Sequence, residues 1–170
     1  DIKMALKADR NELDVDISYF YNDGAVERGG IVTIDSVGSG AAMDQAGAKV
    51  KYKTAAAADR PVGILLNDVV NLDLTRQHIN WHKDEVQKGG KVSLLKKGYV
   101  VTNKITGTIA SADVGKLACV DETTAGNLVE CSTTTVDIAV GRFMSKADED
   151  GYVKVEVNLP MPTEESGTLE

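Results

Sequence analysis

Between Glu12 and Tyr21 the apolar residues Leu13, Val15, Ile17, Tyr19 and Tyr21 fall at every second position, interleaved with Asp14, Asp16, Ser18 and Phe20. A period of two sends successive side chains to opposite faces of an extended chain, so this segment reads as a half-buried strand. Asn22-Asp23-Gly24 supplies turn chemistry, and Gly29-Gly30 opens a second, β-branched strand at Ile31–Asp35. After a small-residue stretch, Ser36–Gly47, the run Lys49-Val50-Lys51-Tyr52-Lys53 alternates again, and its lysine face must be solvated or matched by acids. The alanines at 55–58 allow at most one helical turn, because the periodic apolar positions of a longer helix are absent.

Pro61 leads into a compact strand, Val62–Leu66. Residues 67–87 carry no glycine or proline to mark turns; Asn71–Trp81 reads as an extended strand or arm. Gly89-Gly90 opens a strand at Lys91–Leu95, and Gly98 separates it from another at Tyr99–Ile105. Short strands are then expected at Gly107–Ile109, Lys116–Val120, Leu128–Cys131, Val136–Phe143 and Tyr152–Leu159. Asp148-Glu149-Asp150-Gly151 is a hairpin loop between the last two, with glycine where a positive φ is needed. Strands this closely spaced, with almost no helical periodicity, predict a mostly β fold, a compact barrel or sandwich with an extended N-terminal arm. The expected layout is an arm at 1–15, a β-barrel domain at 16–160 with a protruding segment at 67–88, and a disordered acidic tail at 161–170. Met4-Ala5 reads as a native start, with Asp1–Lys3 and Leu169–Glu170 as vector-derived ends. Asp1–Arg10 lacks the basic start and apolar block of a secretory signal.

Composition narrows the function. A chain of 170 residues, 42% hydrophobic, is enough for one real core or two small ones packed together. The net charge of −7 opposes binding to a phosphate backbone, so no nucleic-acid partner is expected. No apolar stretch approaches the roughly 20 residues of a membrane helix, so no membrane partner is expected either. Charge is uneven: residues 61–104 carry 7 basic and 4 acidic groups, residues 105–170 carry 4 and 12. Such asymmetry lets copies or partners meet by complementary faces, or it simply solvates two surfaces.

Chemistry is sparse. His78 and His82 would share one face of a helix, but the segment reads as extended, where four residues span roughly 13 Å, too far for one ion. Asp148-x-Asp150-Gly151 resembles part of a calcium loop, yet Lys146 stands where the first acid belongs and Val157 where the closing glutamate belongs. Nucleophile-elbow, zinc-protease and phosphate-loop signatures are missing, and Val37-Gly38-Ser39-Gly40 has no helix or lysine after it. No catalytic residue, metal site or cofactor is therefore expected, and the protein does not read as an enzyme. Cys119 and Cys131 flank a turn at Asp121–Asn127. A hairpin centred on Ala125 puts them face to face and a bulge at Gly126 puts them on opposite faces. Two reduced, buried thiols are favoured over a disulfide, because few bridges survive in proteins assembled in the cytosol.

Four runs carry a family resemblance: Pro61-Val62-Gly63-Ile64-Leu65, Asp113-Val114-Gly115-Lys116 with Leu117–Val120 behind it, Val140-Gly141-Arg142-Phe143, and Asp150-Gly151-Tyr152-Val153 running to Val157. Together they resemble the phage head-decoration, or capsid cement, proteins over roughly residues 60–158. The resemblance implies a β-barrel virion protein on the outer capsid surface, commonly a homotrimer, assembled in the host cytoplasm. Its partner would be the major capsid protein, whose neighbouring subunits it would clamp against internal DNA pressure. Interface residues expected on this reading are Leu6, Leu13, Val15 and Ile17 on the arm, with Ile79, Trp81 and Tyr99 as a second anchor. The rival readings are a surface β module binding carbohydrate or protein, another virion component such as a tail protein, and a β-barrel enzyme using His78 or His82 as base. Aromatic residues total only 5% and form no exposed row, which weighs against the carbohydrate module.

Overall fold

The computed structural model describes residues 4–35, 48–57, 59–71 and 84–159. Eleven strands are found there: β1 (Leu6–Tyr21), β2 (Ile31–Ile34), β3 (Lys49–Lys51), β4 (Pro61–Leu65), β5 (Asp68–Val70), β6 (Glu85–Gln87), β7 (Lys91–Thr102), β8 (Leu117–Val120), β9 (Leu128–Glu130), β10 (Ala139–Phe143) and β11 (Val153–Asn158). The fold is mostly β, as expected, and contains a closed five-stranded barrel. The ring runs β1-β3-β2-β4-β7 and closes by β7 pairing with β1. From β7 the sheet continues through β11, β10, β8 and β9, while β5 and β6 form a separate parallel pair.

Strand β7 joins the two halves. One of its edges takes β1 from Leu6 to Phe20; the other takes β4 at Leu94 and Leu95 and then β11 from Lys97 to Thr102. Its alternating side chains feed two cores, Leu94 to the cluster of Tyr21, Val32, Val50, Val62 and Leu65, and Leu95 to the cluster of Ile64, Val100, Phe143, Val155 and Leu128. With both faces buried, β4 reads as an unbroken apolar run rather than an alternating one. Gly98 does not separate two strands as expected, because the chain continues through it with φ +137° and pairs with both Glu12 and Val157.

Other expectations shift as well. Gly107–Ile109 is irregular, leading into a 3-10 turn at Ser111–Asp113, and the alanine run forms no helix over its described residues. The lysine face of the third strand is matched by acids: Lys51 meets Asp35 at 3.3 Å and Lys53 pairs with Asp59. Asp148 closes the β10–β11 hairpin by accepting hydrogen bonds from the amides of Asp150 and Tyr152, with Gly151 at φ +82°. Residues 72–83, which hold most of the extended arm read at Asn71–Trp81, and the tail at 161–170 lie outside the described residues.

The cysteines join, contrary to the reduced thiols favoured by sequence, with Cα atoms 4.9 Å apart. The hairpin is centred one residue earlier than Ala125, so Cys119 pairs with Val129. Cys131 lies two residues further on, on the same face, where a 3-10 turn at Cys131–Thr133 bends the chain back toward Cys119. Replacing both cysteines with alanine is expected to cost roughly 2–3 kcal/mol in urea denaturation, from the freed loop. An unchanged midpoint would show that this linkage contributes nothing.

The same turn rests on Asp121, which is 3% exposed. Its carboxylate accepts bonds from the Thr106 hydroxyl, from the amide and hydroxyl of Thr123 at 2.9 Å each, and from the Thr124 amide at 3.2 Å. Desolvation pushes its pKa up, but these bonds outweigh it and hold the carboxyl below the usual range. A depressed folded-state pKa contributes stability that is complete above about pH 4 and drains away as pH falls through the folded value. Asp121→Asn is therefore expected to lose about 1–3 kcal/mol at pH 7 and to flatten the acid limb of the stability curve below pH 4. A variant with the wild-type acid limb would show that Asp121 does not set it.

Candidate functional site

Strand β1 is tied down at both ends and exposed between them. At its start Ala5 and Leu6 are each 1% exposed, the Ala5 amide donates to Glu27 at 2.7 Å, and the Tyr152 hydroxyl donates to the Met4 carbonyl. Lys7 reinforces this end, 2.7 Å from Asp148 and with its ammonium 4.2 Å from the centre of the Tyr152 ring. At the far end Phe20 and Tyr21 enter the barrel core and pair in parallel with Lys49 and Val50 of β3. There the Tyr21 ring meets Tyr52 edge to face, and burial pushes its hydroxyl up to about pKa 12.

The middle of β1 rests on β7 along one edge only, with no strand along the other edge of residues 7–19 among the described residues. Leu13 is 73% exposed, Ile17 64% and Val15 37%. The apolar positions that their period of two assigns to a core thus face solvent, because residues 11–15 are exposed on both faces of the strand and the alternation there has no buried side.

Acids surround these residues. Glu12 is held by Arg10 at 2.6 Å and Asp16 by Lys96 at 2.7 Å. Desolvation raises the Asp16 pKa, but hydrogen bonds from Lys96 and Ser18 outweigh it and bring it down to about 2, so the carboxylate stays charged. Asp9 and Asp14 make no close ion pair among the described residues, but Asp14 stands opposite Lys97 on β7 and its charge acts on Lys96. Beside the strand lies a cavity of about 120 Å³ lined by Arg10, Glu12, Val15 and Asp84, and Asp84 also binds Arg28 at 2.5 Å.

The expected interface residues therefore separate. Leu13, Val15 and Ile17 are each exposed in the middle of β1, whereas Leu6 packs inward into this chain's own core. Tyr99 is half-buried on β7, its ring covered by the Lys154 ammonium at 3.8 Å. Ile79 and Trp81, with His78 and His82, lie outside the described residues. Val114 and Met144, 44% and 47% exposed, are not among the expected interface residues, since neither sits in an apolar pattern. They flank the hydrogen bond from the Gly115 amide to the Phe143 carbonyl.

Three of the four family-like runs also meet in space, the exception being Pro61–Leu65 on β4. Arg142 donates to the Gly115 carbonyl at 2.9 Å, the Phe143 amide to the Lys116 carbonyl at 3.0 Å, and Lys116 bridges Asp113 and Glu130. Gly141 lies so close to β11 that a Cβ there would fall 1.7 Å from the Glu156 carbonyl oxygen. These residues fasten β8, β10 and β11 together, so their pattern is architectural rather than chemical.

Compared with known families, the chain matches the one described as structural cement protein (E217 gp24/Pam3 gp6) over residues 12–158. The chain belongs to the phage structural cement protein family. The match takes in both halves of the sheet and the exposed residues of β1. No curated protein matches the chain. Membership gives this cement protein a structural role in the phage virion and an association with the capsid.

Proposed function

We propose that this cement protein decorates the outer surface of an assembled capsid as a homotrimer and stabilises it by binding across neighbouring subunits of the major capsid protein. The observation that carries the reading is the exposure of Leu13, Val15 and Ile17 on a strand tied at both ends, since a large apolar side chain left in water on a rigid support marks a contact surface. Rigidity matters because a pre-ordered surface loses little conformational entropy on docking. The protein acts through this surface rather than by catalysis.

The test is co-sedimentation with shells assembled without the protein, together with its mass in solution by sedimentation equilibrium. Saturable binding, a mass of three chains and shells that resist heating to a higher temperature are expected. A monomer that leaves such shells in the supernatant overturns the proposal, and binding to tails but not shells would move the protein elsewhere in the virion.

A further inference from the structure

The bridge between Cys119 and Cys131 has one fixed jaw and one movable one. Cys119 is fully buried on β8, a strand held on both sides, opposite Ala139 of β10 and Val129 of β9. Cys131 lies beyond the end of β9, half-buried at the head of its 3-10 turn, with exposed Ser132 and Thr133 behind it. That turn is held by hydroxyl groups near water: Ser132 donates to the Glu130 carboxylate at 2.6 Å, Thr133 to the Glu130 carbonyl at 2.8 Å and Thr134 to the Cys131 carbonyl at 2.9 Å. Each such bond contributes little net stability. The staple also bears on how the two halves of the molecule meet. Between the cysteines, the Gly126 carbonyl accepts a hydrogen bond from the Ile31 amide of β2 and the Asp121 carbonyl one from the Ala55 amide, each at 2.8 Å, while the Tyr52 ring lies against Gly126. The hairpin is thus a clasp on the barrel. It does not depend on the bridge to form, since backbone pairing from Ala118 with Glu130 to Val120 with Leu128, and the Asp121 carboxylate, hold it independently.

A virion protein meets two redox environments: it is synthesised in a cytosol that keeps thiols reduced, and its particles leave that cell. We infer that the pair Cys119 and Cys131 is a reversible latch on this clasp, opened by small thiols and closed by small disulfides of the glutathione class, with Cys131 as the sulfur they reach. In opening, a glutathione thiolate attacks the Cys131 sulfur, the bond between the two cysteines breaks, and Cys119 leaves as a thiolate that takes up a proton. A second glutathione thiolate attacks the glutathione sulfur of the mixed disulfide and releases the Cys131 thiolate. Two glutathione thiols are thereby oxidised to one glutathione disulfide as the bridge is reduced to two thiols. Closing is the reverse: the Cys131 thiolate takes one glutathionyl group from glutathione disulfide, and the Cys119 thiolate then displaces it. The open chain keeps its fold, and closure stiffens the contact between the halves. Neither state depends on the trimeric, outer-surface reading.

The test uses the full-length protein in buffers of reduced and oxidised glutathione, with free thiols counted by mass spectrometry after alkylation. Millimolar reduced glutathione opens the bridge in protein that circular dichroism shows still folded, and glutathione disulfide closes it again. The closed form melts about 6–10 °C higher than the open one. In the closed form the amides of residues 121–130 and of Ile31 exchange their hydrogens about tenfold more slowly, because the cross-link restricts local opening of the clasp. Cys119→Ser takes up a glutathionyl group from glutathione disulfide at Cys131, at least about tenfold faster than Cys131→Ser does at the buried Cys119. Melting establishes that both variants fold, and the wild-type measurements stand without them. A bridge that persists in reduced glutathione, or a reduced chain that unfolds, overturns the latch. Equal adduct rates in the two variants overturn Cys131 as the point of attack. Identical exchange at Ile31 in the open and closed forms overturns the action on the clasp.

Discussion

Gly98→Ala is expected to destabilise the protein by about 4 kcal/mol in urea denaturation, combining backbone strain with a steric clash. Gly98 has φ +137°, a region that residues with a Cβ rarely occupy, and an added Cβ would lie 1.9 Å from the Asn11 carbonyl oxygen. The obstacle is main chain and cannot swing aside as a flexible side chain would. Relief requires β1 to move away from β7, which opens the barrel at its closing seam. Gly151→Ala separates the two contributions: its φ is +82°, but its missing Cβ faces open space, so only a loss of about 1 kcal/mol is expected. Similar losses at both sites would show that the close approach of β1 at Gly98 is unimportant.

Phe143→Ala is expected to cost about 3–5 kcal/mol, the range for removing a buried phenylalanine ring. Phe143 is fully buried in the cluster shared by Val140, Val153, Val155 and Leu95. Its backbone is fixed on both sides, by its amide to the Lys116 carbonyl and by its carbonyl from the Gly115 amide. The strand therefore cannot collapse into the cavity, which places the loss toward the upper end of that range. Phe143→Leu keeps most of the volume and should cost less than about 1.5 kcal/mol. Against a typical total of about 5–15 kcal/mol, the alanine variant should melt well below the wild type. Equal melting temperatures for the two variants would refute the packing role.

Much of the strand layout could be read from the chain because it depends on local chemistry. Turn residues at Asn22–Gly24, Gly89–Gly90 and Asp148–Gly151 bracket strands close to where the structure has them. The errors share one cause. Gly98 reads as punctuation, because a glycine that admits a neighbouring backbone looks the same in sequence as one that ends a strand. The hairpin centre lies one residue before Ala125, which keeps both cysteines on one face but sets Cys119 opposite Val129 rather than Cys131. The interface residues divided for the same reason: Leu6 and Leu13 are identical in type, and only their neighbours distinguish a core leucine from an exposed one.

The chain alone determined that the fold is β-rich, since period-two patterning and turn chemistry act over a few residues. It also placed the protein near the capsid cement proteins through four short runs, three of which fasten one half of the sheet in three dimensions. Only the tertiary structure decided that β1 closes a barrel against β7 and joined Cys119 to Cys131. It alone left Leu13, Val15 and Ile17 in water. A hydrophobic pattern fixes which side chains share a face, but whether that face meets a core or solvent depends on strands far away in sequence.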